Sequence, residues 1–304
     1  MSYSEGTGNR LNKLSFICAI VFATTAQAEM KPISDEELSQ YSGQAAVEFD
    51  VSQIDSTSYT RVTLGMEADL QINIDTLEAG RFDRGESLEA DISISKLGFG
   101  SISTDDTLVR HDNTTYAVNE IIPFELNDPF FEIAQDATTD ELTGFRIGFG
   151  EARGQLSGDF NSISGNVGVD ITDYFGDTYR STMLDATGAE DSVRSTHFGV
   201  SNTVSGGATD CNNGFYCYNL ADYKTLDVGQ RNLTTGTVDY TNDFFISFQK
   251  APTTWSTSAG NVSAEMGAFI NIPTSLHIDM NTGTNATGTA RVRTEYIDRG
   301  NDLF

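Results

Sequence analysis

Val47-Glu48-Phe49-Asp50-Val51-Ser52 alternates apolar and polar residues at every step, the two-residue period of a strand with one buried face and one wet face. The period recurs in Val62-Thr63-Leu64-Gly65-Met66, in Leu70-Gln71-Ile72-Asn73-Ile74 and in Ala90-Asp91-Ile92-Ser93-Ile94-Ser95. It returns in Phe145-Arg146-Ile147-Gly148-Phe149, in Val167-Gly168-Val169-Asp170-Ile171, from Phe244 to Phe248, from Ala264 to Ile272, and in Ala290-Arg291-Val292-Arg293-Thr294-Glu295-Tyr296. Clusters of Gly, Asn, Asp, Ser and Thr between these runs supply turns. No long window carries a helical stripe. The pattern predicts an all-β, antiparallel, sandwich-like domain with long loops. Gly98-Phe99-Gly100 and Gly148-Phe149-Gly150 fall inside strand patterns, so their glycines predict close backbone packing or a bulge rather than a phosphate loop.

The N-terminus reads differently. Arg10 and Lys13 precede an apolar run from Leu14 to Ala23, and Ala26-Gln27-Ala28 follows as a small-residue cleavage site, so residues 1–28 are expected to be a secretory signal peptide. The mature chain would begin at Glu29. No other stretch reaches the ~18 apolar residues of a membrane-spanning helix, so none is expected in the mature chain. Ser34-Asp35-Glu36-Glu37 forms a capping box, Leu38 and Tyr41 give a narrow apolar stripe and Gly43 a left-handed stop, which predicts a short N-terminal helix and hinge over 29–46. The remainder, 47–304, reads as a single β-rich domain with a loop-rich insertion near 173–235.

With 18 Lys+Arg against 44 Asp+Glu among 304 residues, the net charge of −26 repels phosphate backbones and excludes nucleic acid as an expected partner. Export implies an oxidising compartment, where Cys211 and Cys217, six residues apart with Asn213-Gly214 between them, are expected to close a disulfide. Asp170, Asp173 and Asp177 are the candidate ligands for calcium, the competing account being a solvated acidic loop. No other cofactor is expected. His111, His197 and His277 lack ligand spacing, and there is no nucleophile elbow or P-loop, so no catalytic residue is expected. A hydrolase using paired carboxylates would need a sugar cleft with aromatic platforms, for which the sole tryptophan, Trp255, is available.

Two stretches carry a family resemblance. Ile33-Ser34-Asp35-Glu36-Glu37-Leu38-Ser39-Gln40-Tyr41-Ser42-Gly43-Gln44 resembles the start of a family of Gram-negative secreted proteins, some of which are labelled Fil-type pilus-system proteins. Ile122-Pro123-Phe124-Glu125-Leu126-Asn127-Asp128-Pro129-Phe130-Phe131-Glu132-Ile133, with Gly144-Phe145-Arg146-Ile147-Gly148-Phe149-Gly150-Glu151-Ala152-Arg153-Gly154 after it, is similar to the same family's strand pair. The resemblance implies a periplasmic, outer-membrane-surface or extracellular location, a filament-related role without catalysis, and other envelope or filament proteins as partners. Glu37, Leu38, Ser39, Gly43 and Gln44 are the residues through which a sorting or assembly partner would act on the first motif. An outer-membrane β-barrel is the alternative, fitted by the signal peptide, the alternating strands and the terminal Phe304. A secreted hydrolase is the third reading.

Overall fold

The computed structural model describes residues 47–85, 89–231, 238–275 and 277–280, all within the unit Ala45–Phe304. Eleven strands make its main sheet system: β1 Glu48–Ile54, β2 Thr57–Thr63, β3 Glu67–Leu70, β4 Ile72–Ala79, β5 Ile92–Phe99, β6 Phe124–Asp136, β7 Leu142–Ile163, β8 Gly165–Val167, β9 Thr225–Val228, β10 Thr241–Gln249 and β11 Gly267–Ile272. The fold is all-β. The predicted short helix and the strand at 290–296 lie outside the described residues, as do residues 1–28.

The 22-residue β7 belongs to two layers. Its first half pairs with β6 on one side and β10 on the other, inside a layer ordered β1-β2-β6-β7-β10-β11-β8. Its second half pairs with β5 and β9, and β4 completes that second layer. The change of partner falls between Ala152, the last residue opposite β10, and Gly154, the first opposite β9. Gly154 has φ +134°, and a Cβ there would lie 2.9 Å from the Phe124 backbone, so only glycine turns this corner. A second corner falls at Gln71: β3 pairs with β6 in the first layer, while β4 pairs with β5 in the second. The alternation Leu70–Ile74 reads as one strand because the period runs straight through that break.

The layers close over a core of Ile92, Ile94 and Leu97 from β5, Leu156, Phe160 and Ile163 from β7, and Ala268, Ile270 and Ile272 from β11. The region 173–235 is rich in turns, as expected, yet it is not peripheral. Met183, Phe198, Val200, Tyr218, Tyr223 and Leu226 are buried in the same core. Its strands are two to four residues long, too short for alternation to register in the sequence. Two short pairings also depart from the antiparallel expectation: β8 runs parallel to β11, and Asp170–Thr172 parallel to His277–Asp279. Both join the two sides of a long excursion, where the chain returns alongside itself instead of doubling back through a hairpin.

A second, smaller core lies on the other side of the first layer, under the hairpin Thr253–Thr257/Gly260–Ala264. It gathers Tyr59, Phe130, Ala134, Phe245, Trp255 and Phe269. Trp255 is fully buried there, which removes it as a sugar platform. Gly148 makes the packing fit, since a Cβ would come within 2.6 Å of both Phe130 and Phe245. The Gly98–Gly100 segment behaves as its glycines predict: the β5–β7 register shifts between Ser95 and Gly98, and Gly100 (φ +77°) packs against the Ile122 carbonyl.

Candidate functional site

Asp170, the last-but-two residue before Asp173, pairs through its carboxylate with the Arg180 guanidinium at 3.0 Å. Asp173 opens a tight turn. Its Oδ1 accepts the amides of Phe175 and Asp177 at 2.8 and 2.9 Å, and its Oδ2 accepts the Tyr216 hydroxyl at 2.9 Å. Burial alone would raise the Asp173 pKa, but the Tyr216 hydroxyl and the turn amides outweigh it and hold the carboxyl below its ordinary value. Two of the three candidate ligands are therefore committed to protein partners. Among the described residues no group of three or more His, Cys, Asp or Glu converges on a common point. Asp170, Asp173 and Asp177 are not brought together as a calcium site.

Cys211 and Cys217 are bonded, with Cα atoms 4.7 Å apart. Asp210 precedes the ring and accepts the Asn212 amide at 2.9 Å, an Asx turn that leads the chain into it. The ring carries Phe215, which stacks on Tyr174 with centroids 6.2 Å apart, and Tyr216, which is pushed up to about 12 by burial and by Asp173. Between turn and ring lies a cleft of about 290 Å³ lined by Phe175, Asp177, Tyr179, Val204 and Phe215. Phe175, at the tip of the turn, is 90 % exposed.

A polar cluster missed in the sequence sits on β6 and β7. The Glu125 carboxylate takes His111 Nε2 at 3.1 Å, Arg153 Nη2 at 2.7 Å and the Tyr240 hydroxyl. Burial opposes ionisation, but these three partners overcome it and bring Glu125 down to about 2; Tyr240 is pushed up to about 12 by its burial and by Glu125. A neighbouring pocket of about 210 Å³ is lined by Arg110, His111, Gln155 and Asp227. Such a saturated, ionised carboxylate suits scaffolding better than proton transfer. His277 contacts Thr172 and His197 contacts Thr196. The family-like segments contain Glu125 and Arg153, but the third and fourth members, His111 and Tyr240, arrive from distant loops with no local signal.

A buried carboxylate also ties the layers' margin. Asp91 Oδ1 receives Arg84 and Arg194 at 3.1 Å each, and its Oδ2 receives the Ala268 amide at 2.9 Å.

The face of the first layer that carries the main core under β10 and β11 continues toward β1 as an apolar, partly open surface. Phe49, Val62, Phe131 and Ile147 form one cross-strand row over β1, β2, β6 and β7; Val51, Thr60, Ile133 and Phe145 form the next. Phe131 and Ile147 are 40 % and 51 % exposed, and Phe145 stacks on Phe248 at 5.2 Å. A shallow depression of about 330 Å³ beside Phe145 and Phe248 continues this surface.

Glu37, Leu38, Ser39, Gly43 and Gln44 lie outside the described residues. Among the described residues no helix is long and apolar enough to cross a membrane. The search of curated proteins and that of solved structures returned no match. Residues 9–119, from the basic flank of the N-terminal apolar run to the loop before β6, match the model of a family of unknown function, DUF6160.

Proposed function

We propose that the chain is an exported, non-catalytic protein of the cell envelope or surface that acts by contact, as an accessory subunit of a filament. The observation that carries this reading is the partly open apolar surface of the first layer. Phe49, Val51, Phe131 and Ile147 stand 40 % to 73 % exposed across adjacent strands, with Val62, Ile133 and Phe145 half-buried between them, on a chain of net charge −26. Monomeric soluble proteins rarely leave contiguous apolar surface of that kind unless something packs on it. The bonded Cys211–Cys217 pair supports an oxidising destination, and the arrangement at residues 10–28 supports export. The acidic surface would keep the exported chain soluble and favour cationic partners.

The described strands also bear on the alternatives. A barrel pairs every edge, whereas here β1 and β8 are the two ends of the first layer's path, which supports an open sandwich. A carboxylate-pair hydrolase needs two acids with pKa values driven apart, and Glu125, the carboxylate with the most marked shift, is driven down with every partner already engaged. The test is fractionation of the producing cell with an antibody to the mature chain. Recovery in sheared surface material supports the filament role; recovery only in free periplasm overturns it.

A further inference from the structure

β1 is the outermost strand of the first layer, and among the described residues it pairs with β2 alone. Its outer edge therefore presents a row of backbone donors and acceptors without strand partners. The seven residues Glu48–Ile54 contain no proline or lysine and their pairing with β2 runs without a bulge, so Glu48 and Asp50 are the edge's protection against unspecific pairing. The two faces of the strand differ in chemistry. Phe49 and Val51, 73 % and 71 % exposed, lie on one, and Glu48 and Asp50 on the other. A strand completing this edge would present apolar side chains on the first face and cations on the second.

One stretch of this chain beyond the described residues has that pattern. In Ala290-Arg291-Val292-Arg293-Thr294-Glu295-Tyr296 the positions Ala290, Val292, Thr294 and Tyr296 alternate with Arg291 and Arg293. We propose that residues 290–296 add to the outer edge of β1 as a further strand. Setting Val292 opposite Phe49 places Arg291 and Arg293 opposite Asp50 and Glu48 in an antiparallel pair, or opposite Glu48 and Asp50 in a parallel one. Either polarity gives two cross-strand ion pairs flanking an apolar contact. A slip of one residue would turn the arginines onto the Phe49 face and lose both, so the register is specified.

Other occupants fit less well. The segment 29–46 brings Glu29, Asp35, Glu36 and Glu37 toward Glu48 and Asp50. A second β1 edge supplies no cation and joins two chains of net charge −26. The nine residues 281–289 that separate the segment from Met280 extend up to about 30 Å when drawn out. The tether raises the segment's effective concentration at its own edge. The inference stands apart from the surface role proposed above, because an edge can be completed in any compartment.

The test is disulfide trapping in the full mature chain. Phe49→Cys with Val292→Cys should form a 49–292 bond within one chain on mild oxidation, identified by peptide mass spectrometry of the non-reduced monomer, and a 49–292 bond found only between two chains overturns the proposal. Phe49→Cys with Arg293→Cys, which sets the two thiols on opposite faces, should not. Adding Arg291→Glu and Arg293→Glu to the first pair should cut the yield about fivefold or more. Phe49 is exposed, so its replacement leaves the core intact, and the emission of buried Trp255 reports that the fold is kept. Absence of the 49–292 bond, or a 49–49 bond in its place, overturns the proposal.

Discussion

Arg146 meets Glu132 inside the smaller core, where both side chains are buried and the guanidinium also donates to the Ser256 carbonyl at 2.8 Å. The cation lies 4.8 Å from the Phe245 ring centre and 5.0 Å from that of Trp255. Among the described residues Nη1 has no hydrogen-bond acceptor, and the guanidinium as a whole stands over those rings. Burial lowers the Arg146 pKa while Glu132 raises it, and the net direction is down.

This pair should be costly to break and cheap to replace. Glu132 also pairs with Arg61 at 3.4 Å, so Glu132→Leu leaves two cations without their counter-ion and is expected to lower stability by about 3–5 kcal/mol, whereas Glu132→Leu with Arg146→Met and Arg61→Leu should recover most of that loss. Urea unfolding followed by Trp255 emission checks both. Equal losses for the single and triple variants would show that the ion pair itself is the stabilising element.

Glu125 gives the protein an acid limb. Its folded pKa, about 2, lies below its ordinary value of 4.5, so its contribution is complete above pH 4.5 and disappears as pH falls from there toward 2. Glu125→Gln should be less stable at pH 7 and show a shallower loss of stability across that window. Denaturant midpoints at pH 3, 4, 5 and 7 are the measurement; parallel curves for the two proteins would refute the assignment.

Reduction of Cys211–Cys217 should cost about 2 kcal/mol, because the closed ring is short. It should also free Phe215 from Tyr174, reducing the near-ultraviolet dichroism of the aromatic cleft while the far-ultraviolet spectrum is kept. Thermal melts with and without reductant, and a Cys211→Ser/Cys217→Ser variant, read out the two effects separately.

Gly148→Ala places a methyl group 2.6 Å from Phe130 and Phe245 and should destabilise by about 1–3 kcal/mol through overpacking. Gly154→Ala adds a strained φ of +134° to a clash with Phe124 and should cost at least as much. Gly85→Ala, where no atom lies within 4 Å of the added methyl, serves as a control for a positive φ (+96°) without crowding.

Much of the architecture was readable because its cause is local. Alternation at 47–52 and 145–149 reports a strand but not which face is buried: Phe49 and Val51 stay open, and at 145–149 it is Arg146 that is buried while Ile147 is exposed; an Asn-Gly turn between two cysteines reports a ring. What could not be read depends on residues that meet only after folding. His111 and Tyr240 reach Glu125 from segments 14 and 115 positions away. Asp91 reads as the polar member of an alternating strand, yet it is fully buried because Arg84 and Arg194 converge on it. In the acidic run 170–177, the contacts that Arg180 and Tyr216 make with two of its three carboxylates come from positions that no spacing announces. The corner at Gln71 was hidden for the opposite reason: its pattern is so regular that nothing marks the change of partner.

β7 leaves one hydrogen-bonded layer at Ala152 and enters the other at Gly154 without a loop between them. A tensile load applied to either layer therefore passes along one unbroken backbone into its neighbour, with no hinge at which the two could part. Such continuity would let shear be borne by the whole molecule, and the polypeptide should yield in a single force step rather than layer by layer.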